Sequence, residues 1–547
     1  MRRNIQLFIP LLAIIALALA ACAQGGAEVE APEAEGEAPE EEAEAEAPEA
    51  AAEEEELNVA VYAHTAPLPD LDPSPSFSDD NVVTTQVYET LTFYNPPGSA
   101  EAVSPKLATS WESSDDAMTW TFNLREGVKF HDGTDLNAEA VKFSVERTME
   151  IGLGASYIFA PVESIEVVDD LTVQFNLSFA APMDLIMSSG YGAWIFSPTT
   201  VEGKDNDWFN EGNDAGTGPY TIESYDPGEN LVLTRFDDYW GGWEDGQFDK
   251  VIIQDVQDPT VAEQMIRSGD ADFTYGLPFE NYEALAQVDG VTVDVTPSFQ
   301  NLLALLNHRK PPTDDPLVRQ ALAYSFPYDA VAENLYAGLG TQARGPIPAG
   351  MWGHDPNLTQ YTYDLEKARE LLTEAGYPDG GFELSYTHVA GDLDEQQVGE
   401  LWKAELAKLG IDLKVEGLQW EAQWDLGISD PETAQDAFAF YWWPDYVTPY
   451  SFLFSMFHSE DEPFFNLGYY SDEDFDALID EANEVSGVDI DAAAEMFIES
   501  QEMLVEDAAA IFIVDLPDIH AIRSDITGYV NNPAYPHVVF WYDLRRE

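Results

Sequence analysis

The sequence predicts a mixed α/β fold divided into more than one domain. Three observations lead there. Strand-like alternation and helix-like periodicity are interleaved along the chain, and no short repeat recurs. At 547 residues the chain also exceeds what one hydrophobic core organises, while its 45% hydrophobic content supplies material for several.

The elements follow in order. Leu57 to Tyr62 (Leu-Asn-Val-Ala-Val-Tyr) alternates and opens the folded part as a strand. Trp120, Phe122 and Leu124 alternate with Thr119, Thr121 and Asn123, the pattern of a half-buried strand. Asn137 is placed to cap a helix over Ala138–Met149, with Ala138, Val141, Val145 and Met149 on one face. Ile165–Val168 and Leu171–Leu177 flank Asp169-Asp170 and read as a hairpin. Pro316 suits a first helical turn leading into Val318, Leu322 and Phe326. Asp364 caps a further helix carrying Leu365, Ala368, Leu372 and Ala375, which stops at Gly376.

The first 22 residues read as a signal peptide. Arg2 and Arg3 form a basic start, the stretch from Ile5 to Ala21 is largely apolar, and small residues precede Cys22. Leu19-Ala20-Ala21-Cys22 fits a bacterial lipobox, in which Cys22 is lipidated. Cys22 is the single cysteine, which excludes an internal disulfide. Several acyl chains, at ~0.8 kcal/mol per buried methylene, would hold such a protein on a membrane. Residues 23–56 then read as an acidic disordered tether. Fifteen glutamates and no base fall within residues 27–56, and Pro32, Pro39 and Pro48 interrupt any long helix. At ~3.3–3.6 Å per residue such a segment reaches roughly 110–120 Å.

Charge narrows the partners. With 103 acids against 23 bases the net charge is −80, which excludes nucleic acid, since phosphate binding needs Lys and Arg. The acids are spread along the whole chain, which favours a solvated surface suited to high salt over a preference for cationic ligands. Enzyme signatures are missing. There is no Gly-x-Ser-x-Gly elbow, no His-Glu-x-x-His motif and no Walker A loop; Gly338-x-Gly340 lacks the rest of a dinucleotide fingerprint. Acids are so abundant that a glycosidase dyad could be drawn anywhere. The eight His residues show no pair at helical ligand spacing. The expectation is a protein that is not an enzyme, with no catalytic residues, no metal and no cofactor; a secreted glycosidase or peptidase is the distant alternative.

Several stretches together resemble the extracellular solute-binding proteins of family 5, the oligopeptide, dipeptide and nickel binders of ABC importers. They are Leu107–Glu112 running through Trp120–Thr134 into Ala138–Ser144; Gly216-Thr217-Gly218-Pro219-Tyr220 with Tyr239–Gly242; Val318–Tyr324, Gly338–Thr341 and Gly345–Pro348; and the Asp364 helix closing at Ala375-Gly376-Tyr377-Pro378. Within them Arg125-Glu126-Gly127 and His131-Asp132-Gly133-Thr134 read as turns, His131 included.

The resemblance implies a two-lobed periplasmic-binding-protein-like clamshell of type II, cluster C, with an extra inserted domain. Domain I would combine 57–98, 212–304 and 511–547, domain II would be the inserted 99–211, and domain III would be 305–510. It also implies an extracytoplasmic, lipid-anchored monomer that passes a peptide to an ABC permease, with the permease and ATPase as separate chains. The ligand loop would be Tyr441–Pro449, whose Trp-x-x-Asp spacing matches the loop in which peptide binders hold an α-ammonium with an Asp, here Asp445. Trp442, Trp443 and Tyr446 would line side-chain pockets. Dipeptide binders carry an Arg for the ligand carboxylate after the Asp364-type helix; Thr387–Asp392 has none, and Arg344 is the candidate substitute. Family 5 also contains oligosaccharide binders, so a sugar ligand stays open.

Overall fold

The computed structural model describes residues 57–68, 70–77, 79–460 and 463–547. The signal peptide, the lipidated Cys22 and the acidic tether lie outside the described residues. Among those described, no helix is long and apolar enough to cross a membrane.

One ten-stranded mixed sheet runs through the molecule. In chain order its strands are β1 Val59–His64, β2 Tyr220–Asp226, β3 Asn230–Arg235, β4 Lys250–Asp255, β5 Phe273–Thr274, β6 Val291–Leu306, β7 Glu383–Val389, β8 Asp412–Leu418, β9 Ala437–Trp442 and β10 Ala510–Arg523. In space they lie β8-β7-β9-β6-β10-β5-β1-β4-β3-β2. The long antiparallel pair β6/β10 joins the two halves. Its outer end pairs Val291 with Arg523, its inner end pairs Leu305 with Ala510, and the register breaks between Pro297 and Asn301, opposite Pro517 and Asp515. A proline donates no ladder hydrogen bond, so Pro297 facing Pro517 is where this pair loosens.

Four of the five helices introduced next start at side-chain N-caps, the first being the exception. Helix α1 spans Asn81–Val87 and α2 spans Ala138–Ile151, where the Asn137 side chain accepts from the Ala140 N–H at 2.9 Å. Helix α3 is Pro316–Ser325 under an Asp315 cap, α4 is Leu365–Glu374 under Asp364, and α5 is Pro449–Phe457 under Thr448. One expected face needs correction. Met149 is 37% exposed, and Thr148 takes the inward place, because a 3.6-residue period carries the stripe from Ala138 through Val141 and Val145 to 148. The expected Trp120 strand and the hairpin belong to a separate four-stranded antiparallel sheet, made of 108–113, 119–124, 162–169 and 172–177. Phe122, Phe175, Val141 and Val145 fill its core.

The Gly-Thr-Gly-Pro-Tyr motif is explained by crowding. A Cβ on Gly216 would lie 1.8 Å from the Val87 carbonyl oxygen, and one on Gly218 would lie 2.4 Å from that of Gln86. Only bare backbone fits against the end of α1. Between the glycines, Thr217 donates to Glu89 at 2.9 Å; Tyr239 and Trp240 also donate to that buried carboxylate, and Lys106 pairs with it at 3.2 Å. His131 sits in its turn with a buried side chain, held between Asp214 and the Gly218 carbonyl, 2.9 Å away. Burial opposes a charge on that imidazole, but Asp214 more than compensates and raises its pKa.

Candidate functional site

The segment from Tyr441 to Tyr446 leaves the end of β9 and touches three cavities in turn. Tyr441 lines one of about 740 Å³, together with Gln300, Tyr336, Asp392, Asp394 and His537. Trp443 lines a smaller one of about 150 Å³ with Asp79, Asn81, Tyr191, Gln300 and His537. Gln300 and His537 border both, so the two spaces adjoin. Asp445 and Tyr446 line a third, of about 520 Å³.

The 520 Å³ cavity has a defined chemistry. Tyr157 and Phe179 come from the segment around the four-stranded sheet, while Tyr446, Tyr450 and Phe454 come from the loop and α5. Asp445 is 2% exposed. Its Oδ2 accepts from Ser451 Oγ at 2.8 Å, its N–H donates to the same oxygen at 3.0 Å, and its carbonyl accepts from Ser189 Oγ at 2.6 Å. These bonds fix the carboxylate's orientation. The Oδ1 atom is buried and has no partner at full hydrogen-bond geometry; the Tyr157 hydroxyl lies near enough to favour the charged carboxylate, and it too is otherwise unpartnered. Asn483 Oδ1 lines the same cavity and is likewise buried without a partner. Asp480 and Glu484 complete its acidic side, Asp480 accepting from the Tyr450 hydroxyl at 3.0 Å. Two unpartnered acceptors beside carboxylates and phenol rings have the chemistry to accept hydrogen bonds from a cation such as an ammonium.

The other expected ligand residues fall elsewhere. Trp442 is 5% exposed and packs in an apolar core against Phe440 and Phe465, because a strand sends successive side chains to opposite faces and Tyr441 takes the cleft side. Tyr446 does double service, lining the cavity and packing into the core beneath the four-stranded sheet. Arg344 donates to the Leu358 carbonyl at 3.1 Å and lines none of the three cavities. Sequence reading missed Tyr157, Tyr191, Gln300 and His537, which reach the site only through tertiary folding.

Burial sets the acids' pKa values. Desolvation raises Asp445 and Asp394 to about 6, Asp515 to about 7 and Glu395 to about 8. A buried acid with a raised pKa holds its proton in the fold at pH values where the unfolded chain has lost it. Folding therefore takes up protons between about pH 4 and pH 8, and stability falls as pH rises across that window, by up to about 1.4 kcal/mol per pH unit for each such proton. Calorimetry at constant ionic strength should give a higher melting temperature at pH 5 than at pH 8. The reverse order would contradict these assignments.

Comparison with known proteins agrees with this architecture. The sequence model described as bacterial extracellular solute-binding proteins, family 5 Middle, matches residues 102–464. The probable D,D-dipeptide-binding periplasmic protein DdpA of Escherichia coli K12 is 30% identical over 477 residues, covering 86% of this chain and 90% of that protein. Heme-binding protein A of Haemophilus influenzae is 28% identical, covering 83% and 86%. Among solved structures, the periplasmic binding protein DppA of Helicobacter pylori in complex with the peptide STSA superposes with a TM-score of 0.77 at 26% identity, covering 89% of this chain and 98% of that one. The chain therefore belongs to the bacterial extracellular solute-binding proteins of family 5.

Proposed function

We propose that this protein captures a peptide by its N-terminal ammonium, in the aromatic and acidic cavity around Asp445, and releases it unchanged to an ABC permease. The observation that carries this reading is the pair of buried, unpartnered acceptors, Asp445 Oδ1 and Asn483 Oδ1, lining one cavity. An ammonium leaving water needs fixed acceptors for its three donors, and an anion among them. The relatives named for dipeptides and the relative solved with a bound peptide support the same ligand class.

The acidic rim of the 740 Å³ cavity refines the ligand. Where a dipeptide binder would place an Arg, this chain turns Asp392 and Asp394 toward that space. Their charge would repel a ligand carboxylate held there, which favours peptides longer than two residues and basic side chains at that end. Trp443 and Tyr446 line the path, whereas we assign Trp442 and Arg344 to supporting it. We take residues 57–98, 212–304 and 511–547, with 99–211 inserted, as one lobe, and 305–510 as the other. The register break at Pro297 and Pro517 would serve as the hinge. Lipidation at Cys22, a tether over 23–56 and a monomeric extracytoplasmic state complete the proposal.

Thermal denaturation with tri- to pentapeptides tests it. At a peptide concentration of 100 times Kd the folded state gains about 2.7 kcal/mol, so the melting temperature should rise by a few degrees. N-acetylated copies of the same peptides should give little or no rise. Equal shifts for free and acetylated peptides would remove the ammonium from recognition, and a shift with oligosaccharides alone would replace the peptide reading.

A further inference from the structure

A second cluster lies away from Asp445, on the wall of the 740 Å³ cavity, and its argument does not rest on the peptide reading. Asp518 and His520 lie two residues apart on β10, so their side chains share one face of the strand. His537 approaches from the C-terminal segment. One ligand atom from each of the three lies within 4.8 Å of the others. Asp518 Oδ1 is 3.7 Å from His520 Nδ1 and 3.8 Å from His537 Nδ1. No lysine or arginine among the described residues pairs with Asp518.

The polar accounting of this cluster is incomplete. His537 Nδ1 and His520 Nε2 are both buried without hydrogen-bond partners. So is Asp294 Oδ2, on the residue directly opposite His520 in the β6/β10 ladder. Leaving such groups unpartnered is costly, and each one calls for an explanation. The rings are nonetheless held in place. His537 stacks on Tyr275 with centroids 4.3 Å apart, and its carbonyl accepts from the Tyr62 hydroxyl at 2.8 Å. His537 also sits at φ +62°, a conformation an L residue adopts only when its surroundings impose it. The Tyr529 hydroxyl hydrogen-bonds His520 Nδ1 at 2.8 Å, so an ion at that nitrogen would replace this bond.

We propose that Asp518, His520 and His537 form a binding site for a divalent transition-metal ion on the cleft wall. Tetrahedral coordination at about 2.1 Å from each ligand separates ligand atoms by about 3.4 Å, so the two His–Asp separations need contract by only a few tenths of an ångström and the His–His separation, within 4.8 Å, needs a side-chain adjustment of at most about 1.4 Å by the same geometry. Two imidazoles and one carboxylate favour Zn²⁺, Ni²⁺, Cu²⁺ or Co²⁺ over Mg²⁺ or Ca²⁺, which prefer oxygen. Asp518 and His537 line the 740 Å³ cavity, so an ion held here keeps open positions facing the cleft.

The test is titration of metal-stripped full-length protein with Co²⁺, followed by visible absorption in excess Mg²⁺, which occupies surface carboxylates. One saturable Co²⁺ equivalent per chain, displaced by Zn²⁺, is the expected result. Removing an outer-shell partner of a metal ligand costs about 10–100-fold, so losing a ligand in His537→Gln should weaken Co²⁺ by about 100-fold or more. His537 is partly exposed, which makes that variant the one expected to fold, and its melting temperature without metal verifies it; His520→Ala is the second variant. Absence of saturable Co²⁺ binding by the wild type would overturn the proposal. So would unchanged binding by folded His537→Gln.

Discussion

Asp445→Asn is expected to abolish peptide-induced stabilisation while leaving the unliganded protein at least as stable as the wild type at pH 8. Both halves follow from the carboxylate's surroundings. Without ligand, Asp445 is buried with one oxygen held by Ser451 and the other unpartnered, and desolvation raises its pKa to about 6. At pH 8 the folded state therefore bears the cost of an ionised buried group, on the order of 2–3 kcal/mol from the shift alone. An asparagine keeps the shape, can still accept from Ser451 and removes the charge. With ligand the sign reverses, because breaking a buried ion pair from one side costs about 3–5 kcal/mol, a loss of roughly 100- to 1,000-fold or more in affinity. A site that destabilises its own fold and is relieved by its ligand is the signature of function. A variant that melts lower and binds peptide as before would show Asp445 to be a structural residue.

Gly216→Ala should prevent folding or lower stability by more than about 3 kcal/mol, beyond the usual cost of overpacking a core. The atom in the way is a backbone carbonyl, Val87 O, at 1.8 Å from the added methyl, so no side-chain rotation relieves the clash. Displacing α1 would also pull Thr217, Tyr239 and Trp240 from Glu89, leaving a buried carboxylate short of donors. Gly228→Ala is the matched control, since nothing lies within 4 Å of its Cβ position and only its positive φ is strained. Urea denaturation of both variants decides the point, and near-equal stabilities would contradict the crowding argument.

Local chemistry made much of the architecture readable in advance. The Asn137 and Asp364 caps, the Asp169-Asp170 hairpin and the Trp120 strand are short-range features whose causes lie within a few residues, and each forms where its residues predict. The Trp-x-x-Asp motif singles out Asp445, and the structure buries that residue beside Ser451 and Ser189. What sequence could not reveal depends on distance along the chain. Tyr157 and Asp445 meet across almost 300 residues, and Gln300 borders the cleft because β6 crosses between the two halves of the sheet. Trp442 shares the motif with Trp443 and Asp445, but strand alternation turns it into the core. The eight histidines show no helical ligand spacing along the sequence. Asp518 and His520 are instead related by a strand's two-residue period, and His537 joins them only in space.

Native mass spectrometry of the protein mixed with an equimolar set of tri- to pentapeptides tests most directly whether it holds a guest by its ammonium and leaves it chemically intact. The expected spectrum contains one peptide per chain at unaltered mass, absent when the peptides are N-acetylated. Accumulation of peptide fragments, or complexes that form equally well with blocked amines, would contradict it.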